Sequence, residues 1–438
     1  MLKCNRLLPW ATCLVAALVV SCSSDKVLPQ GKRVSVLEQA TALKPEVSAP
    51  AKMIKIRQAK VNNEWLQNDD NAQHLTSNIK AGTGFVRQWK ADFGAGRSKR
   101  NSLLAKPLAF NGKVYTLDVE GLLTAFDLDS GERVWRYRLE AENKYADASA
   151  MRGVGMAAQD NVIYAVAGFG TVFALNAENG EEVWKKDLKV PLRIAPSVAA
   201  GKVFVQSVDN QFFALDKNSG EILWNYDIAM ENTTVLGGAS ASYCPDLDMV
   251  LIGFSNGEIQ SFNASLGTPL WSDILVANRQ AYSSTFLHTI KASPVIDGET
   301  AFVAGSSDVL ASIDIRSGTR NWDKSIGSSN ALLLSGNTLF VVTTDNELTA
   351  IDKASGKVLW VTAVEMPRKK KDVKVYAPIL LDGKLAVALS NGEVLLYEAA
   401  SGKKISKIDL DEKLNGAPIV VGDYVIFTTD NAKVIAYK

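Results

Sequence analysis

The sequence predicts an all-β fold, an eight-bladed β-propeller of four-stranded antiparallel blades, on three observations. The first is a recurring phrase: Ala125-Phe126-Asp127, then Ser130-Gly131, then Trp135. It returns as Ala174-Leu175-Asn176 with Asn179-Gly180 and Trp184, and as Ala214-Leu215-Asp216 with Ser219-Gly220 and Trp224. Further copies end at Trp271, Trp322 and Trp360, and a seventh, Tyr397-Glu398 with Ser401-Gly402, has Ser406 in place of the tryptophan. The second is the period. Successive tryptophans from Trp135 to Trp360 stand about 38 to 51 residues apart, the range of four-stranded propeller blades. The third is the count of blade starts. Five are regular, at Pro107, Pro196, Pro294, Pro378 and Pro418, and three less regular ones lie near Gly155, Gly238 and Leu332.

One repeat justifies the four strands. Pro107-Leu108-Ala109-Phe110 is a short apolar run closed by the turn pair Asn111-Gly112, and Lys113-Val114-Tyr115-Thr116-Leu117 follows with strand formers. Glu120-Gly121 turns the chain again, 122–126 is a third strand, and 132–139 is a fourth that carries Trp135. Such strands joined by Gly, Asn and Asp turns make a meander. Asp127 accepts backbone N–H groups in the tight turn, and Gly131 supplies its left-handed conformation. A single sheet of this kind cannot bury both faces, whereas radial stacking does so and leaves only short edges. The tryptophan is expected to cover the seam to a neighbouring sheet. The eighth blade runs out at Val434-Ile435-Ala436-Tyr437-Lys438 without an outer strand, and 85–92, with Trp89, is an outer strand without a blade. The N-terminal strand is therefore expected to close the ring. Seven blades would leave one start unexplained.

The first residues read as an address. Lys3 and Arg6 precede the apolar stretch 11–20, and Val19-Val20-Ser21-Cys22 follows. That phrase resembles a bacterial lipobox, which makes 1–21 a lipoprotein signal peptide and Cys22 the lipidated first residue of the mature chain. A plain secretory signal or an uncleaved anchor is the alternative. Serine at position 23 points to the outer membrane by the bacterial sorting rule. Residues 22–60, with Pro29, Pro45 and Pro50 and no clear period, read as a lipid-anchored tether, partly helical near 34–43. The propeller domain is placed at 61–438, with 62–78, which holds Trp65 and His74, packing on the ring.

The sequence carries no reactive constellation. The net charge of +1 gives no basic field for nucleic acid. His74 and His288 are the only histidines and lack ligand spacing, so no metal, cofactor or catalytic residue is assigned. Asp209-Asn210 and Asp345-Asn346 read as turn formers rather than calcium ligands. Cys244 is the one cysteine left beyond Cys4, Cys13 and Cys22 and reads as a buried or half-buried thiol. The run Arg368-Lys369-Lys370-Lys371 reads as a solvated loop.

The repeat resembles that of quinoprotein dehydrogenases and their non-catalytic relatives. With the lipobox and eight blades, residues 1–22 and about 62–438 resemble the BamB family of the outer-membrane β-barrel assembly machinery. That resemblance implies a non-enzymatic lipoprotein on the periplasmic face of the outer membrane. Its role would be to bind periplasmic domains of a BamA-like barrel protein, beside other assembly subunits, and to assist insertion of outer-membrane proteins. The implied partner site lies on loops 229–238 and 276–289, with Val235 and Leu236 as apolar anchors. Gly237 stands where the family has arginine, and Thr289 and Lys291 where it has acidic residues, so the electrostatics of the site differ. Two other functions are weighed: a lipid-anchored envelope module that binds another protein or glycan, and a quinone-dependent dehydrogenase. The lone Cys244 cannot form the vicinal cysteine pair common in such enzymes.

Overall fold

The computed structural model describes residues 43–82, 84–99, 101–141, 152–228, 237–275, 289–306, 309–367 and 373–438. The signal peptide, Cys22 and the expected helix near 34–43 lie outside them, as do Val235, Leu236, His288 and the run 368–371. One compact unit runs from Lys44 to Lys438. It consists of eight four-stranded antiparallel sheets. The blades span 108–138, 153–187, 197–227, 242–274, 295–324, 333–363 and 375–409, and the eighth is formed by 419–437 with the N-terminal strand Arg87–Asp92.

Ring closure follows the expected register. Trp89 pairs with Ala436, Lys90 with Ile435 and Ala91 with Val434. Val86 and Lys438 exchange two backbone hydrogen bonds at the end of this ladder, at 2.7 and 3.0 Å. In blade one the inner three strands are almost wholly buried and the outer one, Arg133–Arg138, alternates. That difference is what radial stacking produces: only the rim faces water.

The repeated phrase is the seal between blades. Each tryptophan indole donates to a backbone carbonyl at the third-to-fourth-strand turn of the next blade: Trp89 to Leu128, Trp135 to Ala177, Trp184 to Lys217 and Trp224 to Ala264. Trp271, Trp322 and Trp360 do the same to Ile315, Lys353 and Ala399. The ring of each tryptophan lies against the turn glycine. A Cβ on Gly220 would sit 2.5 Å from Trp184, and φ there is +73°. Glycine is thus required twice, for the backbone and for the close approach. Asp127 Oδ1 accepts from the backbone N–H of Asp129 and Ser130 and from the Ser130 hydroxyl, and Asp216 repeats this with Asn218 and Ser219. These bonds hold the Asp127 and Asp216 carboxyls below their usual range.

The stretch 43–60, expected to belong to a tether, packs on the ring instead. Glu46 N–H donates to Val358 O at 2.8 Å, and its carboxylate accepts from Val358 N–H at 2.7 Å and from Lys324 at 3.0 Å. A single helical turn, Pro50–Met53, follows. Val47, Ile54 and Ile56 lie on the core shared by blades six and seven, and Arg57 pairs with Asp297 at 3.0 Å. These contacts come one residue at a time along irregular backbone, so no periodicity announces them.

Candidate partner-binding face and axial plug

Antiparallel strands laid side by side in order from axis to rim, each running roughly along the axis, give the ring two faces. The first-to-second and third-to-fourth turns lie on one, and the second-to-third turns and blade connections on the other. Residues 55–79 close the axis from the first face and touch every blade. Trp65 pairs with Ala109 of blade one, Leu66 O accepts from Ala158 of blade two, and the Gln67 side chain bonds both backbone groups of Val198 in blade three. Ala72 O accepts from Tyr243 in blade four and Gln73 O from Ile296 in blade five. Arg57 N–H donates to Ser335 of blade six, Ile79 pairs with Leu381 of blade seven, and Asn62 O accepts from Gly422 of blade eight. Inner strands meeting at an axis each have an open edge, and a buried edge must be hydrogen-bonded. The plug supplies those bonds.

The plug carries a buried charged group. Lys106 Nζ lies 2.5 Å from Asp69, and His74 Nδ1 lies 3.9 Å from the same carboxylate. Burial opposes ionisation of Asp69, but Lys106 and then His74 hold its carboxyl below the usual range. Burial lowers His74, whose Nε2 meets Ala241 O at 3.1 Å. The void left beside the plug is about 30 Å³, room for one or two waters.

On the opposite face the connections between blades vary in length, 275–294 being the longest. The bodies of the two expected partner loops, 229–236 and 276–288, lie outside the described residues, but their described ends converge. Gly237, Gly238, Thr289 and Ile290 line one cleft of about 180 Å³ with Arg193, Gln206 and Ser255. Gly238 and Gly253 of the cleft wall stand at the register positions of Arg193 and Gln206 in blade three, and two isoleucines pack closely on them. A Cβ on Gly238 would lie 2.5 Å from Ile194, and one on Gly253 would lie 2.3 Å from Ile290. Lys291 Cε lies 3.7 Å from where a Cβ on Gly237 would stand. Arg193 and Gln206 were not singled out from the sequence. Their signal was one of register: Arg193 and Lys291 each stand three residues before a blade-opening proline, Pro196 and Pro294, where blades seven and eight have Val375 and Asn415. Cys244, by contrast, is remote from the cleft's lining and buried, its thiol 3.6 Å from Gly298 O, with burial pushing its pKa up.

The sequence model described as outer membrane protein assembly factor BamB matches residues 119–362, more than half of the chain. The chain belongs to the BamB family. It is 27% identical over 342 residues to the outer membrane protein assembly factor BamB of Shewanella oneidensis, covering 77% of this chain and 85% of that protein. The BamB of Kangiella koreensis is 28% identical over 345 residues, 78% of this chain and 84% of that one. Among solved structures, BamB from Moraxella catarrhalis superposes with a TM-score of 0.66 at 20% identity, over 80% of this chain and 100% of that one. The quinohemoprotein alcohol dehydrogenase of Comamonas testosteroni superposes equally well, at 0.68 and 13% identity, over 89% of this chain and 83% of that one. At such identities the superpositions speak for the ring alone, and the family assignment rests on sequence.

Proposed function

We propose that this chain is a non-enzymatic scaffold of the outer-membrane β-barrel assembly machinery. It would be anchored by lipid at Cys22 and face the periplasm, where it binds periplasmic domains of a BamA-like protein beside other assembly subunits. Val235 and Leu236 are its apolar anchors, of the kind that dominate interfaces when buried. The observation that carries this reading is the family match, which spans both partner loops. The geometry supports it in two ways. The described ends of those loops meet on the face left open by the plug, and long connections on a rigid ring are where binding functions reside. At the plugged end the axis is filled by Trp65, Asn68 and Asp69, which argues against an axial cofactor there and against the dehydrogenase alternative.

Pull-down of the tagged chain from its own cells should recover the BamA-like protein, and loss of the chain should lower outer-membrane protein levels. The paired change Val235→Asp with Leu236→Asp should cut capture about tenfold without lowering the melting temperature, as loss of two anchors would. Cys22→Ala should release the chain from the membrane fraction. Recovery of a glycan or an unrelated envelope protein in place of the assembly subunits would favour the envelope-module reading instead.

A further inference from the structure

The cleft between blades three and four holds polar groups that no part of the described protein satisfies. Arg193 Nε and Gln206 Oε1 are buried without hydrogen-bond partners, and Gln206 is only 3% exposed. Among the described residues neither Arg193 nor Lys291 has an ion pair. Lys291 is half-buried, and burial first and repulsion from Lys374 second lower its pKa. An unpaired buried guanidinium N–H costs free energy that a ligand would recover. Arg193 and Gln206 therefore bring an unpaired donor and an unpaired acceptor to the wall of the cleft, and Lys291 lies beside Gly237, which also lines it.

We infer that this cleft receives the carboxylate of an acidic side chain presented by the protein partner, with Arg193 as its principal contact and Lys291 as the second. A carboxylate matches the guanidinium edge in two parallel hydrogen bonds, a geometry a single ammonium cannot provide. The Gln206 amide, turned end for end, presents its NH₂ to the same anion. Ser255 and Thr289 also line the cleft, but their hydroxyls donate to Asn210 Oδ1 and Ser255 O and are not free for the anion. The space is that of one side chain and its waters, and it opens at the roots of the two partner loops, so the anion arrives on a docked protein. This inference rests on the scaffold reading above and deepens it.

Two measurements test it on the full-length protein. In the first, acetate is titrated while the Arg193 Nε–Hε resonance is followed by NMR. A saturable shift is expected, weakened in Lys291→Glu. In the second, binding to the purified periplasmic domains of the BamA-like protein is measured for the wild type, Arg193→Glu, Arg193→Gln and Lys291→Glu, each checked for an unchanged melting temperature. Arg193→Glu should weaken binding at least tenfold and Lys291→Glu severalfold, and both should flatten the salt dependence. Arg193→Gln, which keeps the volume without the charge, stands in should the glutamate misfold. Wild-type binding by the Arg193 variants overturns the inference. A shift with acetate in that case marks an adventitious ion only. If the Val235 and Leu236 changes disrupt binding while the Arg193 changes do not, the scaffold reading survives and the carboxylate site falls. If the wild type binds nothing, both fall.

Discussion

At Gly220 two demands meet in one residue: a φ of +73° and a tryptophan ring 2.5 Å from where a Cβ would stand. Gly220→Ala should therefore destabilise the protein by about 2 kcal/mol or more, since left-handed backbone alone costs an alanine about 1–2. Urea unfolding of the variant against wild type measures it. The sequence phrase named the glycine and explained half of its role, the turn. The other half belongs to the preceding blade and is invisible in a single repeat. Asp70, in the plug, is a second test at this scale. Burial raises its carboxyl to about 7 against a hydrogen bond from Asn62, and Glu64 adds to the rise. The folded state then holds this proton to a higher pH than the unfolded chain does, so Asp70 erodes stability as pH climbs from about 4 to about 7. Asp70→Asn should raise the melting temperature at pH 8 and leave it unchanged at pH 4. Asparagine also tolerates the positive φ of 83° found there. An equal shift at both pH values would show that the gain is not electrostatic.

The ring-closing strand is the element on which the architecture turns. Trp89 is 9% exposed and both pairs in the eighth blade and seals it to the first. Trp89→Ala should cost about 3–5 kcal/mol, the range for deleting a buried aromatic side chain, and should lower the chemical unfolding midpoint accordingly. The missing tryptophan at Ser406 has a structural reason. Ser406 pairs with Leu396 in the register where Trp360 pairs with Ala350. The eighth blade draws its third and fourth strands from opposite ends of the sequence, so no glycine turn joins them to receive an indole. Ser406→Trp should consequently bring no stabilisation, whereas a gain of 1 kcal/mol or more in urea unfolding would mean that another platform exists at that seam. Strand order and closure were legible because each blade repeats the same pattern of apolar runs and turn residues. The docking of Glu46 and Arg57 was not, since each meets blades hundreds of residues away from irregular backbone.

Seen whole, the molecule is a ring of eight blades with its axis closed at one end by its own N-terminal segment, and both features bear on its role as a platform. The plug ties together sheets that otherwise meet only their neighbours. Replacing 62–78 with a Gly/Ser linker should speed hydrogen exchange at the amides of Ala158, Tyr243, Ile296 and Gly422, which donate to it, while the outer ladders keep their protection. Unchanged exchange at those amides would mean that the inner strands hold themselves. By itself the sequence determined the blade count, the turn chemistry, the closing strand and the family, because each is written locally and then repeated. Only the tertiary structure decided that 55–79 crosses the axis and that Arg193 and Gln206 meet the described ends of both loops in one cleft. Those outcomes depend on groups far apart in the chain being brought together around a closed circle, and no local pattern encodes such a meeting.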